Sequence, residues 1–231
     1  MKFFAGLVGA LALASTAQAV TYDAFTSFDG TQGAGGFSYV KLPAGPGQPA
    51  SLLTAPANCV VTADSCLQDG GSLPGVYKSD TAFNEGTYMV PDDRLLVHPG
   101  VSNPIAIFFT APTAGVYDWD VTFSILDRSP SGVALASLTN VSGAPVATPL
   151  GFLNTPGAAL SRSGTISLAQ GQFFAVIVNA AGSYSNDSTG VNFTLTSAGV
   201  PEPGAWALMI LGFGGAGAML RRRLHTLGPV A

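Results

Sequence analysis

Histidine and serine, the residues of most hydrolytic sites, offer little chemistry in this sequence. The two histidines are His98 and His225, and no serine stands in the Gly-x-Ser-x-Gly pattern of a nucleophile elbow. A zinc site built on several histidines is therefore excluded, and a hydrolytic triad would have His98 as its one candidate base. Because His98 precedes Pro99-Gly100, the alternative is the last residue of a strand before a turn.

Four polar residues could hold calcium or a ligand through their side-chain oxygen atoms. Asp118 and Asp120 lie on the polar face of a predicted strand, where simple solvation is the alternative to binding. Asn186 and Asp187 belong to the sequence Ser-Asn-Asp-Ser-Thr-Gly over residues 185–190, which has the hard oxygen atoms that calcium prefers. Asn-Asp-Ser is equally ordinary turn chemistry. The sequence indicates no cofactor, with a structural calcium ion as the open alternative.

The first residues have the three parts of a secretory signal peptide. Met1-Lys2 supplies a basic start, residues 3–14 form an apolar run, and Ala17-Gln18-Ala19 is a small-x-small cleavage site. The pattern predicts a helical signal peptide over residues 1–19 that signal peptidase removes after Ala19. A buried N-terminal helix is the alternative.

Two cysteines, Cys59 and Cys66, lie in the part of the chain that such a signal would export. In an oxidising compartment, two cysteines that bound a short loop favour a disulfide, which would stabilise the fold by about 2–3 kcal/mol. The alternative is a metal or redox pair, but the sequence has neither a Cys-x-x-C motif nor a histidine close by.

The other end of the chain has the features of a membrane-directed tail. Pro201-Glu202-Pro203 is followed by an uncharged stretch over residues 204–220, with Trp206 near its start, and then by Arg221-Arg222-Arg223. At about 1.5 Å per residue, a helix over this stretch spans roughly 25 Å, enough for a short transmembrane helix. Because basic residues mark the cytoplasmic side, the preceding chain is expected to face away from the cytoplasm.

Together, these three parts resemble the PEP-CTERM sorting signal in its PEPxxWA form, over residues 199–224. The resemblance implies recognition at Pro201, Glu202 and Pro203 by an exosortase, which processes the tail during export. It also implies a Gram-negative host that makes extracellular polysaccharide or a biofilm matrix. The short segment 225–231 is longer than is usual for such tails. The alternative is a plain membrane anchor.

The composition between the two ends excludes one class of partner. Residues 20–200 hold five basic and twelve acidic residues, a formal charge of −7. A phosphate backbone would be repelled by this charge, so nucleic acid is not an expected partner. Over the whole chain 47% of residues are hydrophobic and 10% are charged, because both ends are apolar and the middle is rich in small polar residues.

The middle of the chain has the periodicity of β-strands. Residues 116–125 and 191–196 alternate apolar and polar positions, whereas residues 105–110 and 173–178 are continuous apolar runs. Shorter strands are predicted within residues 37–42, 86–90, 94–98, 132–138 and 164–168. Since turn signals recur every ten residues or so, we predict an all-β fold, an antiparallel β-sandwich, over residues 20–198. Residues 20–74 are loop-rich and are expected to form a loosely packed lead-in.

A second, weaker resemblance lies in the order of short motifs. Leu-Val-His-Pro-Gly at residues 96–100 is followed by Phe-Thr-Ala-Pro-Thr-Ala-Gly-Val-Tyr at 109–117 and by Asn-Asp-Ser-Thr-Gly at 186–190. This order resembles galactose-binding-like jelly-roll domains of secreted bacterial proteins, and would cover roughly residues 75–197. The resemblance implies a jelly-roll sandwich and a capacity to bind sugar.

These features predict an exported cell-surface or extracellular-matrix protein with a non-catalytic β-sandwich, passing transiently through the inner membrane with its C-terminus in the cytoplasm. One alternative is a carbohydrate-binding module for exopolysaccharide. A second is an enzyme that acts on matrix polysaccharides. The second is disfavoured because histidine is scarce and the glutamates are limited to Glu85 and Glu202, the latter inside the sorting motif.

Overall fold

Two antiparallel sheets that pack face to face make up the central part of the chain. The structure is a computed structural model and describes residues 18–43, 49–197, 210–217 and 221. The strands are β1 (Val20–Asp23), β2 (Phe37–Lys41), β3 (Ser51–Leu52), β4 (Ser65–Asp69), β5 (Ser72–Lys78), β6 (Phe83–Glu85), β7 (Tyr88–Val90), β8 (Leu95–His98), β9 (Ile105–Thr110), β10 (Gly115–Ile125), β11 (Val133–Thr139), β12 (Val146–Leu153), β13 (Ala159–Leu168), β14 (Phe173–Ala180) and β15 (Thr189–Ser197). A helical turn, α1 (Ala24–Ser27), and a 3-10 turn, Ala34–Gly36, connect β1 to β2.

Within the described residues, seven strands form the first sheet and six form the second. The first has the order β13-β10-β15-β8-β5-β4, and β1 pairs with the end of β15. The second has the order β12-β11-β14-β9-β2-β3, and β6 and β7 form a separate hairpin. Most neighbours in the sheets are distant in the chain, as in jelly-roll sandwiches. The predicted all-β sandwich is confirmed.

Alternation along β10 and β15 separates the core from the solvent. Tyr117, Val121 and Phe123 of β10 are buried to 0% exposure, whereas Asp118 and Asp120 between them are exposed. Because successive side chains of a strand point to opposite faces, this sequence can bury its aromatic residues only by presenting its acids outward.

Aromatic rings from both sheets meet in the core. The ring of Phe37 in β2 lies 5.8 Å from that of Phe193 in β15, and Phe109 in β9 lies 5.5 Å from Tyr117 in β10. Large aromatic side chains bury the most apolar area and gain further from tilted or edge-to-face contacts. These pairs therefore fix the first sheet on the second.

The expectation that residues 20–74 form a loosely packed lead-in is wrong. The segment contributes β1 and β4 to the first sheet and β2 and β3 to the second. Phe37 and Tyr39 are fully buried. The side-chain amide of Gln32 donates to the carbonyl oxygens of Tyr39 and Leu53, both at 2.9 Å, and its Oε1 accepts from the Tyr39 N–H. Turn residues between such short strands interrupt the period on which the prediction depended.

The strands that the sequence did not predict are β1, β3, β4, β5, β6 and β12. Gly, Pro and polar residues interrupt β5 and β12, the latter reading Val-Ala-Thr-Pro-Leu-Gly-Phe-Leu. β12 is the edge of the second sheet and most of its side chains are exposed, so it needs neither alternation nor an apolar run. The other predicted strands are confirmed, with ends that differ by a few residues.

The structure describes little of the two ends of the chain. Residues 210–217, inside the predicted helix 204–220, are helical, and Ile210, Leu211 and Phe213 are exposed. Among the described residues, no helix is long and apolar enough to span a membrane. Ala19 is exposed directly before β1. Residues 1–17 of the predicted signal peptide lie outside the described residues. The same holds for most of the sorting residues, namely Pro201, Glu202, Pro203, Trp206, Arg222 and Arg223.

Candidate functional sites

The cysteines form the predicted disulfide. Cys59 and Cys66 are joined at an S–S distance of 2.03 Å. Cys66 lies in β4 and belongs to a small buried cluster with Tyr77 and Leu96. The bond therefore ties the loop before β4 to the first sheet, and it leaves no thiolate for the metal or redox alternative.

The strand register surrounds Asp118 and Asp120 with hydroxyl groups on the outer face of the first sheet. Asp118 lies between Thr165 of β13 and Thr196 of β15, and the Thr165 hydroxyl donates to the Asp118 carboxylate at 2.8 Å. A shallow depression on this face is lined by Asp118, Trp119, Asp120, Ser163, Gly164, Thr165, Thr194 and Thr196. Both acids are exposed, as the solvation alternative predicted.

The chemistry of this face is hydrogen bonding. Asp118 and Asp120 project from one strand, whereas a glycosidase needs two carboxyl groups on opposite sides of the scissile bond. In the described part of the chain, no three His, Cys, Asp or Glu side chains are grouped as metal ligands would be.

Asn186 and Asp187 lie at one end of the sandwich, in the loop before β15. Asn186 has a φ of 58°, a left-handed conformation that Asn tolerates better than most residues. Asp187 is fully buried, and its Oδ1 accepts a hydrogen bond of 2.9 Å from the Gly132 N–H. Its Oδ2 is buried without a hydrogen-bond partner among the described residues. Ser185 and Asn186 lie in a turn, and calcium binding by this loop stays a prediction.

A carboxylate that the sequence did not single out lies beside this loop. Asp127, in the loop after β10, is 2% exposed, and its Oδ2 accepts a 2.6 Å hydrogen bond from the Ser188 N–H. The Thr87 hydroxyl donates to its Oδ1 at 3.4 Å and lies 3.5 Å from the Asn186 side-chain oxygen. We call Thr87, Asp127, Asn186 and Asp187 the loop cluster.

Burial controls the protonation of Asp187. It raises the pKa of this carboxyl to about 6, against the lowering effect of the hydrogen bond from the Gly132 backbone, and the negative charge of Asp127 raises it further. Asp187 is therefore half protonated near pH 6, about two pH units higher than an exposed aspartate.

His98 is a structural residue, as the strand-end interpretation predicted. It ends β8, is 8% exposed, and its Nδ1 lies 2.8 Å from the carbonyl oxygen of Pro99. A carbonyl can only accept, so Nδ1 carries the proton in this contact. Burial lowers the pKa of His98, and the ring of Tyr184 lies 6.4 Å away, edge to face. Among the described residues, His98 makes no hydrogen bond to a serine or a carboxylate.

Asp127 left only a faint signal in the sequence. It follows Ile125-Leu126, the buried end of a strand, but the charged Arg128 after it is typical of a solvated turn. What buries Asp127 is the loop before β15, which is about sixty residues away in the chain (Ser188 bonds Asp127 at a separation of 61). The residues around Asp127 in the sequence do not indicate that contact.

Comparison with known proteins gives a clear result for one end of the chain. Residues 199–223 match the PEP-CTERM protein-sorting motif. The chain is therefore an exported protein that an exosortase processes, and the resemblance of its tail is confirmed. No curated protein matches the sequence.

The solved structures to which the sandwich is similar include several binding domains. A family 35 carbohydrate-binding module from Clostridium thermocellum has 16% identity and a TM-score of 0.31, covering 50% of this chain and 85% of that one. The globular domain of a zebrafish complement 1qA protein has 18% identity and a TM-score of 0.31, covering 39% and 68%. A carbohydrate-binding module of Cellvibrio mixtus lichenase 5A, solved with cellotriose, has 16% identity and a TM-score of 0.25, covering 45% and 77%. These similarities carry no information on what this chain binds.

Proposed function

We propose that this chain is a non-catalytic cell-surface or extracellular-matrix protein, whose β-sandwich does its work outside the cell. The observation that carries the proposal is the sorting motif at residues 199–223, which directly follows one compact unit, Val20–Ala198. A compact domain joined to an export address is the organisation expected of a protein delivered to the outside.

The positions of the candidate groups support the non-catalytic part. His98 is buried against its own turn, Asp187 is closed off from solvent, and Asp118 and Asp120 lie side by side on an open face. A catalytic site needs an acid or base within reach of a bound substrate. His98 and Asp187 are not accessible, and the accessible Asp118 and Asp120 project from one strand rather than from opposite sides of a bound substrate.

The route to the surface is part of the proposal. Signal peptidase removes residues 1–19, and the helix over residues 204–220 holds the chain in the inner membrane. Arg221, Arg222 and Arg223 keep the C-terminus in the cytoplasm. The exosortase then acts at Pro201-Glu202-Pro203 and releases the sandwich to the surface or the matrix.

Fractionation of the host tests this route. In wild-type cells, an antibody to the sandwich should detect it in the surface and matrix fractions. In a strain without the exosortase, the protein should accumulate in the inner membrane. An unchanged distribution between the two strains would refute delivery by this route.

A second candidate function is binding of exopolysaccharide by the outer face of the first sheet. Its support is the depression around Asp118 and Asp120, where hydroxyl groups and carboxylates line an exposed surface. Sugar hydroxyl groups form hydrogen bonds with such side chains, and a flat sheet suits an extended chain.

Affinity electrophoresis in gels that contain the host polysaccharide tests this candidate. The polysaccharide should retard the wild-type protein. Its retardation of the double variant Asp118→Asn/Asp120→Asn, relative to a gel without polysaccharide, should be several-fold smaller. Asp92→Asn, which also alters an exposed acid, is the matched control and should be retarded like the wild type. Equal mobility of all three proteins with and without the polysaccharide would exclude sugar binding.

A further inference from the structure

Two buried carboxylates at one end of the sandwich form no salt bridge with any residue that the structure describes. Asp127 is 2% exposed and Asp187 is 0% exposed. The salt bridges of the described residues involve other acids. Removing an ionised carboxylate from water without a cation is strongly unfavourable, and two of them in one place repel each other. Sheet packing alone does not explain why this end of the core contains them.

The backbone holds the two carboxylates together. The Ser188 N–H, directly after Asp187 in the chain, donates to Asp127 Oδ2 at 2.6 Å. The Gly132 N–H, from the same loop as Asp127, donates to Asp187 Oδ1 at 2.9 Å. Each loop thus fixes one carboxylate of the other loop. One oxygen, Asp187 Oδ2, is buried with its bonding capacity unused among the described residues.

The other two members of the loop cluster, Thr87 and Asn186, also supply side-chain oxygen atoms. The Thr87 hydroxyl lies 3.4 Å from Asp127 Oδ1 and 3.5 Å from Asn186 Oδ1. Carboxylate, amide and hydroxyl oxygens are ligands for a hard cation, and no nitrogen or sulfur ligand accompanies them. Three separate loops supply them, which favours calcium because its coordination is flexible, whereas magnesium demands a near-ideal octahedron.

We propose that the loop cluster binds a calcium ion, with Asp187 Oδ2 and the Asp127 carboxylate as its charged ligands. The ion neutralises the two buried charges and joins the turn before β7, the loop after β10 and the loop before β15. Exported modules meet high calcium concentrations, and sites of this type have dissociation constants on the order of 10⁻⁴–10⁻³ M. Asp118 and Asp120 are not members of the loop cluster, and the proposed site does not depend on sugar binding.

Calorimetry with calcium chloride tests the proposal on the full-length chain, purified in detergent and stripped with a chelator. At neutral pH, the wild-type protein should bind about one ion per chain, and its unfolding temperature should rise with saturating calcium. Asp187→Asn should lose about tenfold or more in calcium affinity, as loss of a ligand does. Asp118→Asn, an exposed acid of the outer face, is the matched control and should bind like the wild type.

Three results would overturn the proposal. They are no calcium binding by the wild-type protein, unchanged binding by Asp187→Asn, and loss of binding in Asp118→Asn. If Asp187→Asn does not fold, Thr87→Val takes its place, because Thr87 is exposed and its replacement leaves the core intact. Thr87→Val should then bind calcium several-fold more weakly, and unchanged affinity in it would be equally decisive against the site.

Discussion

Asp187 and His98 are buried titratable residues, and burial moves their pKa values in opposite directions. Because burial disfavours the charged form of each, it raises the pKa of Asp187 to about 6 and lowers that of His98. In mildly acidic solution without calcium, the folded protein therefore takes up a proton on Asp187, whereas burial opposes the protonation of His98. The two residues have opposite effects on stability in the same pH range.

Comparison of the wild-type protein with Asp187→Asn isolates the first effect. The folded-state pKa of Asp187 lies above its unfolded value, so the folded state binds the proton more tightly. Both proteins are measured in the presence of a chelator. The free energy of unfolding of the wild type minus that of the variant should rise as the pH falls from about 7 to about 4. Urea titrations at several pH values measure it. A difference that does not vary with pH would contradict an Asp187 pKa near 6, because His98 and Asp127 are common to both proteins.

The disulfide gives a second prediction for single residues. The double variant Cys59→Ser/Cys66→Ser loses a cross-link that closes a short loop, and should lose about 2–3 kcal/mol in the free energy of unfolding. Denaturant unfolding measures the loss. A reducing agent should destabilise the wild-type protein and leave the double variant unchanged. Equal stability of the two oxidised proteins would mean that the bond adds nothing to the fold.

The residues of the candidate sites were only partly predictable from the sequence. Asp118 and Asp120 could be assigned to an outer face because strand alternation is a local property. The spacing of Cys59 and Cys66 was likewise sufficient for their pairing. Asp127 was missed because its burial depends on a loop distant in the chain.

The pair of strands β10 and β13 shows how a single glycine positions a larger side chain. Gly164 of β13 lies opposite Trp119 of β10, and a Cβ on Gly164 would lie 2.9 Å from Trp119 Cζ2. Trp119 in turn stacks on Phe174 of the second sheet, with ring centroids 4.9 Å apart. Glycine at this position therefore leaves the space that lets the indole bridge the two sheets.

Gly164→Ala should displace the indole and cost about 1–3 kcal/mol in the free energy of unfolding, as overpacking does. Its tryptophan fluorescence should also shift, because Trp119 moves relative to Phe174. Gly115→Ala on β10 is the matched control. There the nearest atom beyond its chain neighbours is 3.9 Å from the added Cβ, and the cost should stay within about 0.5 kcal/mol. Equal costs for both variants would refute the close contact.

Strand β2, in the segment 20–74, gives a second prediction for an element. Phe37 of β2 is fully buried against Phe109 and Phe193. Phe37→Ala should cost about 3–5 kcal/mol in the free energy of unfolding. Thermal and denaturant unfolding of the variant measure this cost. A loss below about 1 kcal/mol would restore a loosely packed lead-in.

The predictability of the strands followed the same physical limits. Long alternating strands such as β10 and β15 were evident, since each buries one face over many residues. Edge strands such as β12 were not, because exposure on both faces removes the pattern. The pairing order also could not be derived, since it depends on contacts between segments far apart in the chain.

At the scale of the whole molecule, the sequence divides into an acidic β-sandwich and two apolar ends. The sandwich forms one compact unit over Val20–Ala198, and the sorting motif begins directly after it. This division explains the unusual composition, because much of the apolar character belongs to the ends and the outward strand faces carry small polar residues. On the proposed route, the ends direct the protein to its destination, and the sandwich is the part that remains there.

The intact mass and location of the protein in its host test this central claim most directly. The wild-type chain should be recovered outside the inner membrane with a mass that lacks both the signal peptide and the sorting tail. Replacing Pro201-Glu202-Pro203 with alanines should leave the tail uncleaved and hold the protein in the inner membrane. The same replacement at Leu227-Gly228-Pro229, beyond the arginines, should change neither mass nor location. If the Pro201-Glu202-Pro203 variant matched the wild type in mass and location, the sorting account would be contradicted.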